Sequence, residues 1–387
     1  MGDSKKRLKI CLFIPWCKSK GGAEATILAF LKNTKHEVDI YTWIYDKENT
    51  FPEFKNYSIH IIAPPFIQTL SRSFLLRSLV LLFSKMPKGV LDHYDILMVS
   101  TSGMAEIVLL RNKPKKAVLY CHTILRAANP EDVRWYLDNK YKNLFSKLIY
   151  LTGVKIYNYL EKKSWKHVEK VIFNSELSQE RAKRKELLGE IPSAIIYPPV
   201  KLDKFSKKEY FEGRYFFYPS RFNPPKRQEL LIEAWKVFQK KHPHEILILA
   251  GSVESEDYLK YLKKKARGLN IYFRPNITDD KMVEFYVHCK AGIFVSFVED
   301  FGIVPFEFIS LGKPLIAVDR GGYIPLIKDY PLYFPIIERA DDYLMIQEIN
   351  TSLERFLNTK VHNRKEYKAK ILSEKEFASE VDKCLTI

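Results

Sequence analysis

The feature that most constrains this chain is an alternation, run through twice, of short apolar stretches with longer segments of helical period. Stretches rich in Ile, Val, Leu, Phe and Tyr occur at Leu8–Ile14, Val38–Trp43, Asp95–Ser100, Ala117–Cys121 and Val171–Asn174. Each is strand-sized, and the segments between them predict βαβ units, because parallel neighbours need a crossover that a helix usually supplies. A second set, Tyr215–Pro219, Glu245–Ala250, Asn270–Phe273, Gly292–Phe297 and Pro314–Val318, begins only after an interruption. There Pro198 and Pro199, then the charged stretch Ser206 to Arg214, suit no regular element. A chain of 387 residues exceeds what one core usually serves. Two α/β domains are therefore expected, residues 1–207 and 208–372, followed by a helix over 373–387 with Phe377, Val381 and Leu385 on one face.

The 63 Lys and Arg against 46 Asp and Glu give a formal net charge of +17, which attracts polyanions: nucleic acid, anionic headgroups or phosphorylated substrates. No recognition-helix pattern, aromatic RNA-binding strand or zinc spacing is present, so no nucleic-acid partner is expected and a basic nucleic-acid-binding protein is the distant alternative. The five cysteines, Cys11, Cys17, Cys121, Cys289 and Cys384, are scattered without a C-x-x-C pair. They predict neither disulfides nor a zinc site and fit a reducing cytoplasm. Met1 to Lys9 is polar and the apolar run after it strand-sized, so no secretory signal is expected. The run Phe74 to Phe83 carries Arg77 and falls short of the roughly 20 residues of a membrane span. The wider segment Pro64–Gly89 mixes Phe66, Leu70, Phe74 and Leu79 with Arg72, Arg77, Lys85 and Lys88. Docking on an anionic membrane and packing against a core are both open readings of it.

Three loops carry chemistry. The first runs from Glu299 through Asp300, Phe301, Gly302, Ile303, Val304 and Pro305 to Glu307, ending at Gly312 and Pro314. Two glutamates with seven residues between them bracket a strand-to-helix turn in which Pro305 suits the first helical turn and Gly312 the stop. Such a helix start faces the carboxyl end of a strand, where open α/β sheets bind ligands and backbone N–H groups attract phosphate. The second, Ser220-Arg221-Phe-Asn-Pro-Pro-Lys226-Arg227, places Arg221 and Lys226 on a loop after a strand, suited to a diphosphate. The third puts Gly21 and Gly22 between the first strand and a helix, without the G-x-G-x-x-G of a dehydrogenase.

In this order the three loops resemble those of family 4 of the retaining glycosyltransferases, over nearly the whole chain. The resemblance implies the GT-B fold: two Rossmann-like parallel-sheet domains facing across a cleft, the C-terminal helix packing back on the N-terminal, acceptor-binding domain. It implies that Arg221 and Lys226 bind the diphosphate of a nucleotide-sugar donor, Glu299 the sugar hydroxyls and Glu307 the ribose, with Gly21, Gly22, Gly302, Ile303 and Val304 against the donor. Tyr120-Cys121-His122-Thr123 looks like the family's His loop, which makes His122 a catalytic candidate beside Glu299, Arg221 and Lys226. Asn174-Ser175 also matches a family loop, though both are ordinary helix caps. Where the family usually has a glutamate after Gly321-Gly322, this chain reads Tyr323-Ile324-Pro325, and Ser220 replaces the common glycine.

Breaking an anomeric bond to a diphosphate calls for stabilising charge on the departing oxygens, for which cationic side chains can replace a metal. No cluster of closely spaced aspartates is evident, so metal independence and no cofactor beyond the donor substrate are expected. No carboxylate nucleophile of the retaining-glycosidase kind is identifiable either, which favours same-face attack. A weaker resemblance, through the Gly-Gly-Ala-Glu24 loop, Tyr41 to Asp46 and Tyr120 to His122, is to mannosyltransferases of N-glycan and O-antigen assembly. It implies mannose from GDP-mannose, a lipid-phosphate-linked glycan acceptor, and a cytoplasmic enzyme peripheral on an anionic membrane face. A UDP-glucose-dependent enzyme with a soluble or lipid-linked acceptor is the alternative.

Overall fold

The computed structural model describes residues 7–63, 84–139, 141, 143–205, 213–359 and 371–386. It divides into two compact units, Met1–Pro199 with Leu372–Ile387, and Val200–Ile371. The change of unit thus falls at Pro199 and Val200, before the expected 207/208. The residues between belong with the second unit, where the Phe205 ring meets Tyr286 at 5.3 Å.

In the first unit the strands are β1 (Lys9–Cys17), β2 (Glu37–Tyr45), β3 (Ile59–Ile61), β4 (Ile96–Thr101), β5 (Ala117–Cys121), β6 (Lys170–Phe173) and β7 (Ser193–Ile195). They form one parallel sheet in the order β3-β2-β1-β4-β5-β6-β7. β1 shows why its sequence is an unbroken apolar run. Cys11 and Phe13 enter the core on one face, whereas Ile10, Leu12 and Ile14 enter the core on the other, so neither parity is left for water. The helices are α1 (Gly22–Asn33), α2 (Pro130–Asn139), α3 (Leu144–Trp165) and α4 (Glu176–Arg184).

The second unit holds β8 (Phe216–Pro219), β9 (Leu247–Gly251), β10 (Ile271–Pro275), β11 (Ala291–Phe294), β12 (Leu315–Val318) and β13 (Tyr333–Ile336), again all parallel, in the order β10-β9-β8-β11-β12-β13. Its helices are α5 (Gln228–Lys241), α6 (Glu256–Lys265), α7 (Asp279–His288), α8 (Val304–Ser310), α9 (Ile324–Ile327) and α10 (Asp342–Asn358). The last helix, α11 (Glu374–Thr386), belongs to the first unit. There Phe377, Ala378, Val381 and Leu385 join Ile27, Phe30 and Ile10 in one core. Asp382 clamps it: Thr34 donates its hydroxyl at 2.6 Å and Lys35 its backbone N–H at 3.1 Å.

Every strand expected from the pattern is present. β3, β7 and β13 were not expected, since three or four residues are too few to display a period, and β13 carries Pro335 at a sheet edge. In both sheets the strand order reverses beside the first strand, between β1 and β4 and between β8 and β11, which opens a crevice at the carboxyl ends of those strands. Of the candidate membrane segment Pro64–Gly89, residues 64–83 lie outside the described residues; Ser84 and Met86 are buried and Lys85 and Lys88 exposed. Among the described residues no helix is long and apolar enough to cross a membrane.

Candidate functional site

In the second unit the loops after β8 and β11 leave the sheet side by side at the reversal of strand order. Phe297 donates its N–H to the carbonyl of Pro225 at 2.9 Å, tying one loop to the other. Pro224 and Pro225 tighten the first loop into a single 3-10 turn that ends at Lys226. The buried Tyr218 hydroxyl donates to the Lys226 carbonyl and so fixes the turn from beneath. The Lys226 ammonium then pairs directly with the Glu299 carboxylate, the two side chains 16% and 22% exposed. The crevice therefore carries an organised cation and carboxylate in contact. Arg221 is turned elsewhere: its guanidinium pairs with Glu254, which also accepts from Asn223 at 2.7 Å, and it stays exposed.

Glu299 is held by its own backbone. It bridges to Gly321, and Gly322 donates its N–H to the Glu299 carbonyl at 2.9 Å. Val298 just before it adopts φ +36°, a left-handed conformation that costs a β-branched residue of order 1–3 kcal/mol. Gly302 has φ +81°, and a β-carbon there would stand 2.8 Å from the Tyr323 ring. Tyr323 occupies the segment where the family's glutamate is missing; it is fully buried and donates its hydroxyl to the carbonyl of Val318 at 2.5 Å. This departure thus supplies the floor against which the Glu299 loop is packed.

Glu307 lies in α8 between Phe306 and Phe308, which fill the core. The helix is drawn into the protein by those rings, so Glu307 is buried with them, and its two oxygens accept from the Tyr286 hydroxyl and from Lys204 Nζ at 2.6 Å. Ile303, exposed, and Val304, half-buried, stand at the start of α8. Lys204, Tyr286 and Glu254 escaped the sequence reading, because each is brought in from a distant segment that carries no motif. Arg227 also escaped it. At φ +53° it ends the β8 loop and grips Glu338 with both terminal nitrogens at 3.0 and 2.8 Å, its guanidinium stacked 4.6 Å from the Phe297 ring.

The first unit carries the remaining candidates. Gly21 is the N-cap of α1 with φ −94°, an ordinary conformation, so the paired glycines Gly21 and Gly22 serve less as a special turn than as a helix start bare of side chains. His122 follows β5, is buried, and its Nε2 lies 3.0 Å from the Ser100 hydroxyl at the end of β4. Burial pushes its imidazole down to about 3, so it is neutral at physiological pH. The loops after β4 and β5 touch: Gly103, φ +86°, has no room for a β-carbon, which would fall 2.5 Å from the α-carbon of Leu125. Ser175 caps α4, accepting from the N–H of Ser178 at 3.2 Å, which is the ordinary role open to it.

Behind these loops sits a buried polar network without sequence signature. Glu106 accepts from the Thr101 hydroxyl at 2.6 Å, the Met104 N–H at 3.1 Å and the Tyr157 hydroxyl at 2.6 Å. Tyr157 also contacts Glu161 at 3.1 Å, and Lys185 pairs with Glu161. Burial, with the Glu106 charge adding to it and Lys185 opposing, pushes the Glu161 carboxyl up to about 7.

Two parallel sheets, each with its candidate residues at a reversal of strand order, and a basic loop joined to a carboxylate loop in the second, define the architecture of a GT-B glycosyltransferase. Residues 200–367, nearly the whole of the second unit, match the family Glycosyl transferases group 1, so that unit is a glycosyltransferase domain. Among curated proteins it is 26% identical over 367 residues to the alpha-1,3/1,6-mannosyltransferase ALG2 of Kluyveromyces lactis, covering 80% of this chain and 69% of that one. It is 24% identical over 363 residues to ALG2 of Saccharomyces cerevisiae, with the same coverage. The serotype-specific mannosyltransferase WbdA of Escherichia coli matches at 23% over 215 residues, 53% of this chain and 26% of its own. Among solved structures, the lipopolysaccharide-biosynthesis glycosyltransferase WaaG superposes with a TM-score of 0.62 at 14% identity, covering 97% of this chain and 95% of that chain. Anabaena Alr3699/HepE in complex with UDP and glucose gives 0.60 at 17% identity, covering 98% and 94%. Both likenesses are of fold.

Proposed function

We propose that the chain is a retaining, metal-independent hexosyltransferase that moves mannose from GDP-mannose to a lipid-phosphate-linked glycan, as in lipid-linked oligosaccharide assembly. The observation that carries this reading is the Lys226–Glu299 pair at the strand-order reversal of the second sheet, in a glycosyltransferase group 1 domain. A cation held in place by a carboxylate is organised before the donor arrives. When the anomeric bond breaks, the charge developing on the diphosphate meets an ammonium that needs no reorganisation. Arg221, exposed on the same loop, swings from Glu254 to the distal phosphate oxygens. Glu299 takes the sugar hydroxyls, and Glu307, aimed by Tyr286 and Lys204, keeps a lone pair on each oxygen for the ribose hydroxyls.

In the reaction the acceptor hydroxyl oxygen bonds to the anomeric carbon from the face the diphosphate leaves. The anomeric C–O bond breaks with its electron pair going to GDP, and a phosphate oxygen takes the acceptor's proton. His122, neutral, acts as a hydrogen-bonding wall and not as a cation. The cations of the β8 loop do the work of a metal. The acceptor's lipid brings the enzyme to an anionic membrane face from the cytoplasmic side, without a spanning helix among the described residues.

The test is turnover of a panel of nucleotide sugars by wild type, Glu299→Ala and Arg221→Ala, with and without chelator. The reading predicts that GDP-mannose is consumed, that chelator leaves the rate unchanged, and that both variants lose it. Consumption of UDP-glucose alone would transfer the assignment to a glucosyltransferase, and a rate abolished by chelator would sink metal independence.

A further inference from the structure

Among the described residues, the large apolar side chains left in water are concentrated on one element. Fifteen are exposed in all, and seven of them lie on α3. Leu144, Phe145 and Leu148 are 85%, 73% and 62% exposed, and Ile149, Ile156 and Tyr159 continue the series. At 3.6 residues per turn these positions share one side of the helix, over roughly 24 Å of its length. The opposite side is that of an ordinary packed helix: Tyr150, Tyr157, Glu161, Ser164 and Trp165 are buried in the first unit. α3 therefore carries large apolar side chains on both its inner and its outer side, and only the inner side is accounted for by the core. Its start is secured, since the Asn143 side chain accepts from the N–H of Ser146 at 2.7 Å.

The charges that the α3 segment itself turns outward have one sign. From Asn143 to His167 the basic residues are Lys147, Lys155, Lys162, Lys163 and Lys166, and the only acidic one, Glu161, is turned inward and buried. Lys155 stands among the exposed apolar side chains, and Lys163 lies 4.6 Å over the Tyr159 ring at their margin. Among the described residues, Glu186 brings a carboxylate to this face from another element, on Lys162 at 2.9 Å. An apolar strip rimmed by lysines, with an aromatic hydroxyl at the boundary, is what a helix lying in a headgroup layer requires: the apolar side chains enter the acyl boundary while lysine stems reach back to phosphate.

We propose that the outer face of α3 is the surface by which this enzyme docks on an anionic lipid bilayer. The inference rests on the reading of a lipid-linked acceptor and places its entry on a particular helix. The inner face of α3 supplies Tyr157 and Glu161 to the network that holds Thr101 and Met104, so the docking helix backs directly onto the loop beside His122. A second copy of the chain seated on the same strip would bring its lysines against these, which disfavours that occupant.

The experiment is co-sedimentation of the full chain with vesicles of phosphatidylcholine alone and of phosphatidylcholine mixed with phosphatidylglycerol. Wild type is compared with Leu148→Glu and Lys155→Glu, both outward-facing changes, with circular dichroism as a check on folding. Wild type should bind the mixed vesicles, more weakly as salt rises, and the neutral ones poorly. Leu148→Glu should weaken binding by at least about tenfold, and Lys155→Glu by about tenfold on mixed vesicles only. Transfer to a water-soluble, short-chain acceptor is measured alongside and should be unchanged in both variants. Undiminished vesicle binding by folded Leu148→Glu, or a dimer of the wild type that this change dissolves, overturns the proposal. If vesicles are ignored while the soluble acceptor is glycosylated, the docking surface fails and the transferase reading stands; if vesicles are bound through α3 but no acceptor is glycosylated, the reverse holds.

Discussion

Removing the Lys226 side chain separates what this residue does for stability from what it does for the reaction. An ammonium and a carboxylate about 4 Å apart in an effective dielectric of about 20 attract by about 4 kcal/mol. Desolvation and side-chain ordering offset most of that, and a pair retaining 16% and 22% exposure should net about 1 kcal/mol, between the values for surface and buried pairs. The transition state asks more of it, because losing one preorganised donor to a developing anion costs about 2.7–4 kcal/mol, or about 10²–10³ in kcat. Lys226→Ala should therefore lose about 10²–10³ in kcat on GDP-mannose and only about 2–4 °C in Tm. Lys226→Arg, which keeps the charge but not the ammonium's geometry, should fall between. The assay is steady-state release of GDP beside a thermal melt. A folded Lys226→Ala protein within about threefold of wild-type kcat would refute the leaving-group role.

Other substitutions test the remaining parts. Glu307→Gln weakens the charge-assisted contacts of the nucleotide site and should raise KM for the donor by about tenfold or more with a smaller change in kcat; an unchanged KM contradicts its ribose role. Glu161 has a folded pKa of about 7, raised above its unfolded value chiefly by burial, so its contribution to stability is full below about pH 4.5 and is lost as pH rises through 7. Urea unfolding should show wild type losing up to about 3 kcal/mol between pH 4.5 and 8 relative to Glu161→Gln, and parallel curves would disprove the shift. His122 is depressed to about 3, so its contribution is present above pH 6.5 and lost as pH falls toward 3. No ionisation near pH 6.5 that His122→Asn removes should appear in the pH dependence of kcat/KM. Asp382→Ala leaves the Thr34 hydroxyl and Lys35 N–H without their acceptor and should cost about 1–3 kcal/mol, read as a lower melting transition.

Much of the fold was legible because parallel strands buried on both faces must be written as apolar runs, as Ile10 to Ile14 shows. What the pattern could not carry were edge strands such as β3, whose three residues hold no period, and the true unit boundary. The latter depends on Phe205 and Lys204 packing against Tyr286 and Glu307, contacts between residues about 80 to 100 positions apart in sequence. In the site, Glu299, Glu307 and Lys226 could be picked out because glycine and proline punctuate their loops. Their partners could not: Tyr286, Lys204, Glu254 and Glu338 sit in unmarked segments, and only the folded sheet and its helices bring them near. Nor does charge alone reveal that Arg221 pairs with Glu254. The apolar face of α3 has the same cause, since Leu144 to Tyr159 reads as a core helix until the fold shows which side is covered.

The most direct test of the central claim is the anomeric configuration of the product formed from GDP-mannose, read from the one-bond carbon–hydrogen coupling at the transferred sugar by NMR. Same-face attack gives an α linkage, the configuration of the donor. A β linkage would contradict same-face attack, and an absence of transfer from any nucleotide sugar would remove the function assigned to the Lys226–Glu299 pair.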